Sequence, residues 1–355
     1  LAGILRAMSF SRKILKWYDR NKRHLPWRNT KDPYPVWLSE IIMQQTRIAQ
    51  GLPYYSAFIS KYPSIYELSE ASEPEILKDW QGLGYYSRAR NMHQTAQHIV
   101  GELQGNFPNT YEGLLQLKGV GDYTASAIAS ICFNEKRAVV DGNVYRVLSR
   151  YFDVETPVNS TEGAKLFRSL AAELIDADTP GDYNQGIMEL GAKVCTPSNP
   201  ACDLCPITDG CLALARNTIG LRPVKKGKKQ IRKRYFNYLL IQDKLSKTRM
   251  LQRGPKDIWQ HLYEFPLIET DAPLNETDIP LAAKEILGLE NYSITGQLYN
   301  EDIVHKLSHQ HLHTRFWIVN TPELLVDGTP WGEVEELPVP VLIQEAISAF
   351  KNSYF

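Results

Sequence analysis

No stretch of the chain stays apolar for the roughly 20 residues that a membrane-spanning helix needs. Neither sign of charge is in excess, with 40 Lys and Arg against 40 Asp and Glu and a pI near 7.2. Neither a helical membrane protein nor one coated in basic residues is expected. Cysteine is scarce as well, five among 355 residues, which is not the complement of a secreted disulfide framework. Residues Leu1 to Ala7 precede Met8 and lack the apolar core of a signal sequence, so Met8 reads as the native start and the reducing cytosol as the compartment. A chain of this length is expected to form about two domains, each burying its own core.

Scarce as they are, four of the cysteines fall together in Cys195-x6-Cys202-x2-Cys205-x5-Cys211, 17 residues in all. So dense a group reads as a metal site. Closely spaced thiolates hold iron–sulfur clusters, whereas structural zinc sites usually arrive as two CxxC pairs separated by a longer loop, and one such pair is present. The spacing favours a [4Fe–4S] cluster over zinc or a pair of disulfides. The CxxxCxxC spacing of radical SAM enzymes is absent, so the expected role is structural or DNA-positioning. Cys132, inside the apolar run 129–133, reads as buried packing.

Charge is balanced in total but not along the chain. Seven of the ten residues from Lys225 to Arg234 are Lys or Arg, and this run separates two kinds of pattern. Upstream, apolar residues recur at helix spacing in 14–18, 36–48, 75–80, 88–99, 123–131, 144–151, 164–174 and 185–194. Downstream, 235–242, 249–251 and 312–319 are rich in aromatic and branched residues, as strands are, with helical stretches at 281–287 and 341–350. The expected organisation is a helical domain over 8–220, a basic linker over 221–233 acting as a solvated tether, and a smaller α/β domain over 234–355.

Leu117-Lys118-Gly119-Val120-Gly121-Asp122-Tyr123 is a Gly-x-Gly turn feeding an alanine-rich helix. Glycines let a backbone approach a ligand closely, and a helix N-terminus presents N–H groups that suit a phosphate. Such a turn, here within about 109–131, fits a helix-hairpin-helix that grips DNA without reading bases, with Gly119, Val120 and Gly121 at the contact. Gly121 lies 74 positions before the first clustered cysteine.

Hairpin, then Val139-Val140-Asp141-Gly142-Asn143-Val144, then the four-cysteine loop is an order that resembles the endonuclease III superfamily of DNA glycosylases over nearly all of the first domain. The resemblance implies that Asp141 is catalytic. Bifunctional members carry a lysine nucleophile in the hairpin's second helix; here Tyr123 stands there, which implies a monofunctional enzyme. The run 37–47 reads as a helix that places Glu40 among apolar neighbours, where burial should keep it protonated. That run resembles the catalytic helix of the MutY adenine DNA glycosylases, and adenine needs an acid because it leaves poorly as an anion. The resemblance further implies that Tyr123 and Asn143 support the two carboxylates and that Leu25, Trp27 and Arg28 wall an adenine pocket. Gln45 and Tyr85 would fill the gap left by the flipped base, and Thr46 and Leu83 would lie near the opposite base.

Downstream, Trp259-x2-Leu262-Tyr263-Glu264-Phe265-Pro266 and His305-Lys306-Leu307-Ser308-His309 resemble the Nudix-like domain that reads 8-oxoguanine in the same family, through Ser308 and His309. Leu307 replaces the family's usual aromatic. The magnesium-binding glutamate pair of Nudix hydrolases is missing from Lys284-Glu285-Ile286-Leu287-Gly288, so nucleotide hydrolysis is not expected. The four histidines of 305–313 alternate as in a strand and suit a DNA-facing role better than a second metal site. The implied partner is duplex DNA carrying 8-oxoguanine:A or G:A mispairs, bound by a monomer in the bacterial cytosol, at the nucleoid. A mismatch-specific thymine or uracil glycosylase and a noncatalytic iron–sulfur DNA-binding protein are the other readings.

Overall fold

The computed structural model describes residues 2–227 and 231–354; residues 228–230 of the expected basic linker lie outside the described residues. The chain forms two compact units, one of Leu1–Glu70 with Asn91–Gly227, the other of Ala71–Arg90 with Lys228–Phe355. The segment Ala71–Arg90, expected in the first domain, thus groups with the second unit. Its side chains explain why: Tyr86 Oη donates to Val339 O at 3.3 Å, and Arg90 Nη1 donates to Gln260 O at 2.9 Å. No helix among the described residues is long and apolar enough to cross a membrane.

The first unit is helical, and local chemistry sets its boundaries. Asp32 accepts from Tyr34 N and Pro33 occupies the first turn of the helix Pro33–Met43. The sequence pattern runs this helix to residue 47 or 48, but it stops at Met43. Thr46 N turns back to Met43 O at 3.1 Å, Gln45 takes a left-handed φ of 55°, and a separate helix spans Ile48–Lys61. The hairpin comprises Tyr111–Leu114, capped by Thr110, and Asp122–Phe133. Gly119 between them has φ +79°, and a Cβ there would meet Asn91 Cβ at 2.8 Å, so both conformation and space require glycine. Asp141 caps the helix Gly142–Tyr151, and Pro180 opens the helix Pro180–Lys193. These two pack so closely that a Cβ on Gly191 would lie 2.6 Å from Asn143 Cβ. Phe10, Ile14, Val144, Leu148, Phe167, Ile187 and Leu190 form the core they share.

The second unit is built on a five-stranded mixed sheet. Its long central strands, Arg232–Asp243 and Gln310–Thr321, run parallel over twelve residue pairs from Arg232↔Gln310 to Asp243↔Thr321. Leu267–Thr270 flanks the first strand; Ser293–Gln297 and Ile303–Lys306 pair antiparallel with the second. Alternation sends Phe236, Tyr238, Leu240, Phe316 and Ile318 to one face, against the helix Val341–Tyr354. Leu239, Ile241, Trp317 and Val319 go to the other, against Ile279–Leu287. A sheet buried on both faces explains why its central strands read as nearly continuous apolar runs.

Candidate active site

In the helical unit a cavity of about 400 Å³ gathers Leu25, Trp27, Arg28, Glu40, Thr46, Tyr123, Asp141 and Asn143. These residues come from five separate segments. Pro26–Arg28 is a single 3-10 turn that buries Trp27, whose ring meets Tyr55 edge-on at 4.8 Å. Glu40 lies in the last turn of Pro33–Met43, and Tyr123 lies in the first turn of Asp122–Phe133. Asp141, at the helix cap, accepts from Asn143 N at 2.9 Å, Val144 N at 2.8 Å and Asn143 Nδ2 at 2.7 Å.

The two carboxylates occupy different electrostatic surroundings. Burial lifts Glu40 to about 7; the Asp141 charge pushes the same way, against a hydrogen bond from Tyr123 and the Arg28 charge. Burial also raises Asp141 above the usual aspartate range, but three N–H donors and Arg146 oppose it by favouring the ionised form. Burial and the neighbouring carboxylates hold the Tyr123 hydroxyl protonated; it donates to Met188 Sδ at 3.3 Å and lies close enough to Glu40 to interact with it. The arrangement therefore supplies a proton donor poised near neutrality beside a carboxylate solvated by N–H groups. Such a pair suits cleavage of a bond whose leaving group needs a proton and whose other fragment becomes cationic.

On the far wall, Arg28 meets residues that were not expected at the site. Glu189, its side chain 0% exposed, takes Arg23 Nε at 2.6 Å and Arg28 Nη2 at 2.8 Å. Burial raises its pKa, but the hydrogen bonds and charges of the two arginines outweigh this and hold it at about 2. Gln185 and Met188 complete that side of the cavity. Asn184, Gln185 and Glu189 share the buried face of this helix with Tyr183, Ile187 and Leu190, and polar residues at the spacing of an apolar face are the signal that could have revealed them.

The other expected residues are placed as follows. Gln45 is exposed, and Tyr85 is 44% exposed with φ 48°, so both lie in the left-handed region that bulky residues rarely adopt. Gly119 and Gly121 are exposed at the hairpin turn while Val120 is buried beneath them. In the second unit a cavity of about 320 Å³ brings Leu83 and Tyr85 together with Trp259, Leu307, Ser308 and His309. Ser308 and His309 form the tip of a two-residue hairpin closed by Leu307 N on Gln310 O at 2.8 Å. His313 stacks on Tyr235 and His305 meets Trp259 edge-on, which accounts for two of the four histidines as aromatic packing.

None of the four clustered cysteines is in a disulfide, and all line one recess with Val147, Arg150, Tyr151, Ile207 and Ile219. Cys202 opens a single 3-10 turn that Cys205 follows as C-cap, and Cys211 precedes the short helix Leu212–Ala215 as its N-cap. Burial pushes Cys205 up to about 12 and raises Cys202 and Cys211. Thiols so placed stay protonated unless a metal supplies positive charge. No group of three or more His, Cys, Asp and Glu among the described residues is gathered tightly enough for a single ion. A common apolar recess with four sulfurs set around it suits the larger iron–sulfur cube.

Comparison with known proteins agrees with this geometry. Residues 38–173 match the HhH-GPD superfamily of base excision DNA repair proteins, residues 195–211 the iron–sulfur binding domain of endonuclease III, and residues 237–349 the NUDIX domain. The chain holds a [4Fe–4S] cluster, and the matching segment 195–211 is the one that carries the four clustered cysteines. It is 30% identical to a solved thermostable thymine-DNA glycosylase, with a TM-score of 0.55 over 59% of this chain and 97% of that one. Adenine DNA glycosylase from Mus musculus is 45% identical over 217 residues, 59% of this chain and 42% of the relative, so the chain spans less than half of its length. Adenine DNA glycosylase from Buchnera aphidicola subsp. Acyrthosiphon pisum is 31% identical over 355 residues, 98% of this chain and 99% of the relative. The chain belongs to the adenine DNA glycosylase family.

Proposed function

We propose that this protein is a monofunctional DNA glycosylase that hydrolyses the N-glycosidic bond of adenine mispaired with 8-oxoguanine or guanine in duplex DNA, acting as a monomer. Glu40, held near pH 7 beside the N–H-solvated Asp141, carries the reading. Adenine cannot be reached inside the stack, so it is flipped into the cavity walled by Leu25, Trp27 and Arg28. Glu40 protonates N7, the C1′–N9 bond breaks with its electron pair going to the base, and Asp141 stabilises or captures the sugar cation. Water then adds to C1′, losing its proton to Glu40. Tyr123 orients Glu40, and Asn143 orients Asp141. No lysine lines the described cavity, which supports hydrolysis without a Schiff base.

In the same reading the helical unit is the glycosylase domain and the sheet-containing unit, with Ala71–Arg90, the recognition domain; the expected tether 221–233 is shorter, because Arg232 and Lys233 already belong to the central strand. Ser308 and His309 would meet 8-oxoguanine, with Thr46 and Leu83 also near the opposite base; Gly119, Val120 and Gly121 would hold the backbone. Gln45 and Tyr85 would fill the gap left by flipping; their left-handed backbones support that use, because strain of this kind concentrates at functional positions. The test is release of free base under single turnover from an 8-oxoguanine:A duplex against a G:T duplex. The reading requires adenine release from the first at a rate well above thymine release from the second. The opposite ranking would favour a thymine glycosylase.

A further inference from the structure

Arg150 sits at the C-terminal end of the helix that Asp141 caps, is 3% exposed, and points its guanidinium at the cysteine recess. Nη1 donates to Thr196 O at 2.7 Å and approaches Cys195 Sγ at 3.4 Å. Nη2 donates to Pro197 O at 3.1 Å, and Nε to Ile219 O at 3.3 Å. The fork therefore clasps the turn that follows Cys195, anchors it to the segment beyond Cys211, and leaves one N–H directed at a ligand sulfur. Cys205 and Cys211 face neutral backbone N–H groups, of Ile207 and of Leu214 and Ala213. The contact at Cys195 is of another kind, because its donor carries a full positive charge in a recess that excludes water.

We propose that Arg150 is the positioning residue that fixes Cys195 toward the cluster and sets the cluster's reduction potential. A charged N–H aimed at a ligand sulfur draws electron density from it and stabilises the more reduced cluster, so the contact raises the potential. Lysine could supply the charge but not the four-way fork: a single ammonium cannot reach the sulfur and the carbonyls of Thr196, Pro197 and Ile219 together. The proposal rests on the iron–sulfur assignment and is independent of which base the enzyme removes.

The test is the midpoint potential of the cluster in purified holoprotein, read by voltammetry for the wild type, Arg150→Lys and Arg150→Met, with iron content measured on each sample. Both variants should shift to more negative potential, the methionine variant further, and both should lose iron to a chelator faster than the wild type. An iron-loaded variant with the wild-type potential would overturn the proposal. So would loss of iron from both variants, since the arginine would then be a requirement for assembly rather than a tuning contact. Zinc in place of iron in the wild type would instead bring down the cluster assignment itself.

Discussion

The guanidinium of Arg146 donates to the backbone carbonyl of Cys195 at 2.6 Å through Nε and to Asn143 Oδ1 at 2.8 Å through Nη2. Asn143 in turn donates to Asp141 Oδ2 at 2.7 Å. A single helix therefore ties Cys195, a proposed ligand of the cluster, to the carboxylate proposed to meet the sugar cation. Arg146→Ala should release both ends and lower the single-turnover rate by about 10–100-fold, the usual cost of losing such a supporting contact. A rate within twofold of wild type would show that Asp141 is held by its helix cap alone.

The pH profile follows from the two carboxylates. Glu40 must carry a proton to donate it, and burial lifts its pKa to about 7, so the rate should fall as pH rises through that value. Asp141 must be ionised, and its pKa is raised, so the rate should also fall on the acid side, beginning above the range of an ordinary aspartate. A bell-shaped single-turnover profile is expected. A rate that stays level from mildly acidic to mildly basic pH would remove the acid role from Glu40.

Much of the site was legible because its signals are local. The cysteine spacing and the Gly-x-Gly turn are each written within a few residues, and the two central strands announce themselves by nearly continuous runs of aromatic and branched residues. The missed parts depend on contacts between distant segments. Arg23 and Glu189 lie 166 positions apart, and their pairing becomes visible only when the chain is folded. The break after Met43 was hidden because the sequence through Gln45 keeps helical spacing, while a left-handed turn and the next helix decide the geometry. The membership of Ala71–Arg90 in the second unit is likewise a tertiary fact, fixed by Tyr86 and Arg90.

Tyr123 bears on whether the sugar is cleaved as well as the base. Without an amine at this position, borohydride should trap no substantial enzyme–DNA adduct, and strand scission should appear only after alkali treatment of the abasic product. Tyr123→Lys should gain trapping or lyase activity. Efficient trapping by the unmodified protein would mean that another lysine reaches the sugar.

Anaerobically purified protein should be brown and hold about four irons per chain. Cys202→Ala should weaken folding or DNA binding more than base excision itself, because its sulfur lines the cysteine recess rather than the catalytic cavity. Iron analysis, melting curves and DNA affinity check this. A variant that folds and binds normally but has lost excision would contradict it.

The most direct measurement is the single-turnover rate of adenine release from an 8-oxoguanine:A duplex by Glu40→Gln, beside DNA affinity for the same variant. The amide keeps the shape of the side chain but has no acidic proton, so release should be abolished while binding is largely retained; Asp141→Asn should behave alike. Residual release within about tenfold of wild type, a deficit of only ~1.4 kcal/mol in the barrier, would be too small for an essential acid and would contradict the assignment.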